Sequence, residues 1–363
     1  MRMLLLGRKH IAKAEDLLAA FGHLGVETDY VLFPGLHYVV ADRAYATSFG
    51  EVPVCFVPTK LGYYVYHFSN ILWLLVKQFR TTRFDTLFAI DWFEGVILLL
   101  YRALFARTAK VIYYSYDYYF PQSLWSSRTL INRIDAFVAA RADEVWNVNV
   151  TIGRERNKRG VTPKQSHTVP LGIRVQVPPW ETRACKHLLF VGNLKQGHFL
   201  ERLIPLVSKL SAEDASLELT IVGRGKLRER LGTRVRDKGL SSRIHLRGFV
   251  SQEDLVREIS SGRYACGLAL YEDTPEIRCA DPGKIKDYFS WGLPVLVTRY
   301  PAIAQDVKRY TLGCVIDRLD EATLRDTLSR LDFDRLRQWQ ENVRRYASGH
   351  SSEAVLKERL GLV

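Results

Sequence analysis

Apolar residues along the chain come in short runs, separated by stretches where they recur every three or four positions. Residues 3–6, 30–33, 54–57, 87–90 and 111–114 read as strands. Residues 11–21, closed by Gly22 and Gly25, and residues 95–105 read as helices between them. Continuous apolar strands alternating with helices predict a parallel sheet covered on both faces. A longer helical pattern over 130–142 leads into another short apolar run at 144–148. Residues 168–180 hold Pro170, Gly172, Pro178 and Pro179 with little periodicity, so 177–180 predicts an interdomain linker. The alternation then restarts, with strands at 187–191, 217–222, 244–246, 266–270 and 294–297 and helices at 199–210, 227–238, 253–261 and 282–291. The expected architecture is two successive Rossmann-like α/β domains, 1–178 and 179–363, with the last helix, about 335–363, able to pack back on the first domain. Open parallel sheets bind ligands at the carboxyl ends of their strands, so the chemistry is expected there.

Composition narrows the class. The chain has 363 residues, 47% of them apolar and 25% charged, which suits two globular domains and excludes a disordered or collagen-like chain. The formal charge of +13 is spread without a basic tail. Nucleic acid is therefore not the expected partner, and anionic substrates or an anionic membrane surface are. Cys55, Cys185, Cys266, Cys279 and Cys314 are odd in number, widely spaced and lack a C-x-x-C pair. That argues against a disulfide framework or a zinc site and fits a reducing cytoplasm. The apolar run at the N-terminus is too short for a signal peptide. The uncharged stretch 61–76 is interrupted by His67, Ser69 and Asn70 and falls short of the roughly 20 apolar residues a spanning helix needs.

The most informative segment is 281–298. Asp281 suits an N-cap, Pro282 a first helical turn and Gly292 a helix C′ position. Gly283 allows close approach to the backbone, and a helix N-terminus with a nearby lysine, Lys284, forms an anion site. Lys284 and Asp287 are three apart and share a face. This predicts a pyrophosphate on the helix end and Lys284, with Asp287 accepting hydrogen bonds from ribose hydroxyls; an ordinary well-capped turn has the same local pattern.

Pro282, Lys284, Asp287, Tyr288, Gly292, Pro294 and Val295 resemble the donor-binding signature of the group-1 (GT4-like) GT-B glycosyltransferases, P-x-K-x-x-E-Y-x-x-x-G-x-P-V. Residues 189–194 resemble that family's first C-terminal strand and phosphate loop, 219–225 its IVGxG strand end, and 244–250 its element beside the nucleotide base. The resemblance implies a GT-B fold, two Rossmann-like domains facing a central cleft. It implies donor binding by Gly192, Lys195, Arg224, Phe249, Val250, Asp281, Pro282, Gly283, Lys284 and Asp287, with a UDP- or GDP-sugar as donor substrate. There are departures. The first acid of the family's E-x7-E pair falls on Cys279, leaving Asp273, Glu276 and Asp281 as substitutes on the same loop. Asn193 stands where the phosphate loop carries arginine, with Lys195 the nearest cation. A histidine that often precedes the acid at 117 is replaced by Tyr116.

In the first domain, Asp91 and Asp117 follow strands, and a carboxylate at a strand terminus can serve an attacking acceptor hydroxyl. Both are catalytic candidates, Asp117 the first choice, with Glu94 behind them. Part of the aromatic run 113–120 belongs to a strand core, leaving Tyr116, Tyr118 and Tyr119 for substrate. Asp332 and Asp334 form a literal D-x-D, but they open a helical pattern, so N-capping is expected. No metal or other cofactor is expected, since fixed cations and the helix end can stabilise a leaving diphosphate. Residues 61–83 combine aromatic, apolar and basic side chains, which suits either a surface-lying membrane segment or a buried helix with a basic tip. The reading is a cytoplasmic glycosyltransferase of the hexosyltransferase type, at the inner face of the cell membrane if that segment touches lipid. It would act on a glycan or lipid-linked acceptor in polysaccharide or glycolipid synthesis. A nucleotide-sugar epimerase and a non-catalytic sugar-nucleotide or nucleic-acid binding protein remain as alternatives.

Overall fold

In the computed structural model the chain divides into two units, Met1–Pro170 with Ser352–Val363, and Leu171–Ser351. The structure describes all residues except 10–13, 35–43, 56, 58, 121–122, 124–125, 162–164, 175–179, 196–198 and 362–363. The expected strand at 54–57 and linker at 177–180 fall partly on these, as does the start of the expected helix at 11–21.

The first unit runs β1 (Arg2–Lys9), α1 (Ala14–His23), β2 (Glu27–Pro34), β3 (Ala44–Thr47), β4 (Gly50–Pro53), α2 (Lys60–Phe79), β5 (Thr86–Ile90), α3 (Trp92–Phe105), β6 (Lys110–Ser115), α4 (Ser127–Arg141), β7 (Glu144–Asn147), α5 (Val150–Asn157) and β8 (Ser166–Thr168). The sheet order is β4-β3-β2-β1-β5-β6-β7-β8. β3 and β4 form an antiparallel hairpin on the β2 edge, so the sheet is parallel only from β2 to β8. The described residues of 54–57 are not a strand. The pairing falls earlier, where Gly50 (φ 115°) turns the chain and Thr47 Oγ1 bonds the Gly50 carbonyl at 2.5 Å. One sheet face is covered by α2, α3 and α4 through Tyr63, Ile71, Ile97, Leu98, Val138 and their neighbours. α1 covers the other face, where Phe21 meets Phe88 edge-on at 5.5 Å.

The second unit runs β9 (His187–Val191), α6 (Leu200–Glu213), β10 (Glu218–Val222), α7 (Arg228–Asp237), β11 (Ile244–Arg247), α8 (Gln252–Ser260), β12 (Cys266–Ala269), α9 (Pro275–Cys279), α10 (Gly283–Ser290), β13 (Val295–Thr298), α11 (Ala304–Arg309), β14 (Gly313–Ile316), α12 (Glu321–Ser329) and α13 (Phe333–Gly349). Its parallel sheet has the order β11-β10-β9-β12-β13-β14. Asp332 N-caps α13, accepting from Arg335 N–H at 2.7 Å, so the D-x-D is a cap. Trp180 is buried in this unit and donates its indole N–H to the Trp291 carbonyl at 2.7 Å. After α13 the chain enters α14 (Ser352–Leu360), which packs on α1 of the first unit.

Each sheet has one place where neighbouring strands send their following helices in opposite directions: between β1 and β5 in the first unit, and between β9 and β12 in the second. Such points open a crevice beyond the carboxyl ends of the strands.

Candidate functional site

In the second unit the crevice is held open by Tyr288 of α10. Its ring lies so close to β12 that a Cβ on Gly267 would stand 2.6 Å from it. Its hydroxyl accepts from Val191 N–H at 2.9 Å and lies 3.3 and 3.2 Å from the Leu189 and Leu268 carbonyls. The side chain thus replaces ladder bonds where β9 and β12 part. Beside it α10 begins at Gly283. Gly292 ends the helix in the left-handed region (φ 69°), and Leu293 N–H reaches back to the Tyr288 carbonyl at 2.8 Å, as its sequence signature predicts.

The helix start differs from expectation. Pro282 is the N-cap and offers no side-chain cap bond. Asp281 does not cap α10; its carboxylate is buried, 3.6 Å from Lys286 Nζ, and accepts from Leu171 N–H at 3.3 Å. A buried partner five residues on, Lys286, outcompetes the local cap. Burial raises the Asp281 pKa, with Lys286 opposing. This acid braces the loop rather than facing the crevice. A Cβ on Gly283 would meet nothing within 4 Å, so the helix start faces open space.

Lys284 is the most unusual cation here. Its Nζ is buried and, among the described residues, has no hydrogen-bond partner. The ammonium lies 3.7 Å from the Phe190 ring centroid and 5.7 Å from that of Tyr271. It presses against the β9 exit, where a Cβ on Gly192 (φ 143°) would stand 3.0 Å from its Cε. Burial and then the charge of Lys195 lower its pKa to about 7, against an opposing pull from Asp287. A buried ammonium without a bonded counter-charge is a costly arrangement that an anion would relieve. Around it, Arg224 lies exposed after β10 with its guanidinium 5.1 Å from the ring of Phe249, itself 70% exposed. Val250 packs on the core behind. A cavity of about 240 Å³ is lined by Lys195, Phe199, Arg202 and Glu272 among others. Of the substitutes for the missing first acid, Asp273 is held by Arg278 in two bonds of 2.7 and 2.8 Å, Glu276 is half-buried on α9, and Cys279 is buried.

In the first unit the crevice between β1 and β5 holds a cluster that the sequence showed only in part. Arg8, near the end of β1, lies 3.3 Å from Asp91 Oδ2 and 2.9 Å from Glu94 Oε1. Asp91 N-caps α3, accepting from its neighbour Trp92 N–H at 2.8 Å, with φ 74° and ψ 169°. That backbone region is nearly confined to glycine and costs roughly 1–3 kcal/mol, a strain that clusters at functional sites. The Asp91 and Arg8 side chains keep 12% and 13% exposure, while Glu94 keeps none. Burial pushes Glu94 up to about 8 and raises Asp91, with Arg8 opposing in both. For Arg8, burial is outweighed by Glu94 and Asp91, so its pKa is raised. His67 of α2 is fully buried, bonded to Tyr45 through Nδ1 at 2.9 Å, and held down to about 4 by burial and then by Arg8.

Asp117 lies exposed just beyond β6; the charge of Asp91, then burial and the charge of Asp117, raise the Tyr119 pKa. Tyr118 is a correction: it is buried, with the Arg159 and Arg156 guanidinium groups 5.7 and 6.0 Å from its ring centroid, and cannot be offered to substrate. Tyr116 and Tyr119 remain half-exposed. Arg8 escaped the sequence reading altogether, because its pairing runs across two strands and 83 residues. The available signal was a charged side chain at the end of an otherwise apolar strand.

Residues 188–360 match the family described as glucosyltransferase 3-like, C-terminal domain. No curated protein matches the chain. Solved structures with the same fold include sucrose-phosphate synthase from Thermosynechococcus elongatus, at 14% identity and TM-score 0.71, covering 100% of this chain and 98% of the other. HepE from Anabaena, solved with UDP-glucose, has 14% identity and TM-score 0.68, covering 100% of both chains. TarM from S. aureus, solved with fondaparinux, α-GlcNAc-glycerol and UDP, has 12% identity and TM-score 0.61 over 82% of this chain; the match spans 59% of TarM's length.

Proposed function

The chain has the fold of the GT-B glycosyltransferases, and from that premise we propose that it transfers a sugar from a nucleoside-diphosphate sugar to a hydroxyl of a glycan or lipid-linked acceptor. The observation that carries this reading is the buried, unpartnered Lys284 ammonium beside the open start of α10. Free N–H groups at a helix start and a desolvated cation together fit a diphosphate. Asp287, one turn on, receives the ribose. Arg224, Phe249 and Val250 form the shelf for the base, and Lys195 and Gly192 the floor beneath the phosphates. These fixed groups balance the leaving diphosphate without a metal. A UDP-sugar is the favoured donor, in keeping with HepE binding UDP-glucose.

The acceptor side belongs to the first unit. Asp91 takes first place over Asp117 because its carboxylate is positioned by Arg8, reachable at its edge, and held on a strained backbone. It orients the acceptor hydroxyl and receives its proton as the bond from sugar to diphosphate breaks and the bond to the acceptor oxygen forms. The site of work is the cytoplasmic face of an anionic membrane, in cell-surface polysaccharide or glycolipid synthesis. The basic, apolar residues 61–83 and the charge of +13 support that placement.

The test is transfer from a panel of UDP- and GDP-sugars to glycan and lipid-linked acceptors, followed by mass spectrometry. Asp91→Asn should lower turnover about 10²–10⁴-fold with donor affinity unchanged, and Asp117→Asn should act weakly. The opposite ranking would move the role to Asp117. Failure of every donor to react would remove the enzyme reading.

A further inference from the structure

The helices α2, α3 and α4 form one layer over a face of the first sheet, and their outer surface is chemically one-sided. Their acids are Glu94 and Asp135, both turned into the core and paired with Arg8 and Arg156. No acidic side chain therefore faces outward from these helices. Lys60, Lys77, Arg128, Arg133 and Arg141 do. The same surface exposes Leu61, Val65 and Trp73 from α2 at 56–76%, and Leu104 and Phe105 from α3. α4 adds Leu130 and Phe137. These are seven of the thirteen exposed large apolar side chains among the described residues, on three helices of one unit, so the patch is not the usual scatter. Cations and rings are presented together: Lys77 Nζ lies 4.7 Å from the Trp73 ring centroid, and the Arg141 guanidinium 3.9 Å from that of Phe137.

We propose that the outer surface of α2, α3 and α4 together docks the protein on an anionic lipid surface. This rests on the membrane-side reading above and widens it from the segment 61–83 to three helices. Apolar side chains at this exposure enter the headgroup boundary while the cations meet lipid phosphates. Lipid fits better than a second copy of the chain. A two-fold interface would set this patch against itself, placing cations against cations with no outward acid on the helices to pair them.

The experiment is co-sedimentation of the whole chain with vesicles of phosphatidylcholine alone or mixed with phosphatidylglycerol, at low and high salt. Wild type should bind the mixed vesicles at least tenfold more tightly, and high salt should reverse the binding. Leu130→Ser with Phe137→Ser should weaken binding about tenfold or more, as should Leu61→Ser with Trp73→Ser. Phe333→Ser, on α13 of the other unit, should bind as wild type, and thermal unfolding and donor affinity should stay normal in all three. If the α4 variant binds as wild type while the α2 variant does not, the three-helix surface is wrong and contact by residues 61–83 stands. If wild type ignores both vesicles, both readings fall. Self-association in velocity sedimentation that these substitutions abolish would assign the surface to a second copy and overturn the proposal.

Discussion

At Glu94 the carboxyl group has lost its water and received Arg8 at 2.9 Å in exchange, while Arg8 also serves Asp91. One guanidinium cannot neutralise two buried carboxylates, so the deeper acid keeps its proton to about pH 8. Between the ordinary glutamate pKa of about 4.5 and the folded value of about 8, the unfolded chain releases this proton and the folded one holds it. Stability from this group is present at low pH and is lost as pH rises through that window. Glu94→Gln keeps the shape and removes the titration. Its advantage over wild type in urea midpoint should grow from pH 5 to pH 8. His67, which titrates in the folded protein near 4, cancels in this difference. An equal difference at both pH values would mean that Glu94 is ionised throughout.

At the scale of elements, α10 shows what a sequence can and cannot disclose. Gly292 ends the helix as its local signature predicts, because a C′ glycine depends on neighbours within one turn. Asp281 had the right type and position for an N-cap and was drawn instead to Lys286, five residues on, and to Leu171, a partner that only tertiary packing supplies. The 54–57 apolar run likewise reads as a strand, yet the pairing went to β3 and β4, with β3 antiparallel to β2 and β4 antiparallel to β3. Long periodic helices were legible; α3 and α4 formed within a few residues of their expected spans, 95–105 and 130–142. The role of Tyr288 was not, since its three backbone partners lie 20 to 99 residues away. Tyr288→Phe would leave Val191 N–H without its acceptor, so a loss of about 1–3 kcal/mol in unfolding free energy is expected. An unchanged denaturation midpoint would show that β9 and β12 hold together without it.

On the scale of the whole molecule, two sheets each place a charged cluster at their own switch point. One gathers cations around the start of α10, and the other gathers acids around Arg8. The cluster of the second unit was readable because its signature lies within one strand–helix–strand stretch. The cluster of the first unit was only partly readable because Arg8, Asp91 and Glu94 come from different elements. Lys284 is the residue on which donor binding depends most directly under the proposed function. The measurement is calorimetric titration of UDP-glucose at pH 8, in two buffers of different ionisation enthalpy, for wild type and Lys284→Ala. With a folded pKa of about 7, Lys284 is mostly neutral at pH 8 and must gain a proton to meet the diphosphate. Wild type should therefore take up close to one proton per donor bound. Lys284→Ala should bind about 10- to 100-fold more weakly, as expected for losing a charge-assisted bond, with no proton uptake. Equal affinity in the two proteins, with no proton taken up by either, would contradict it.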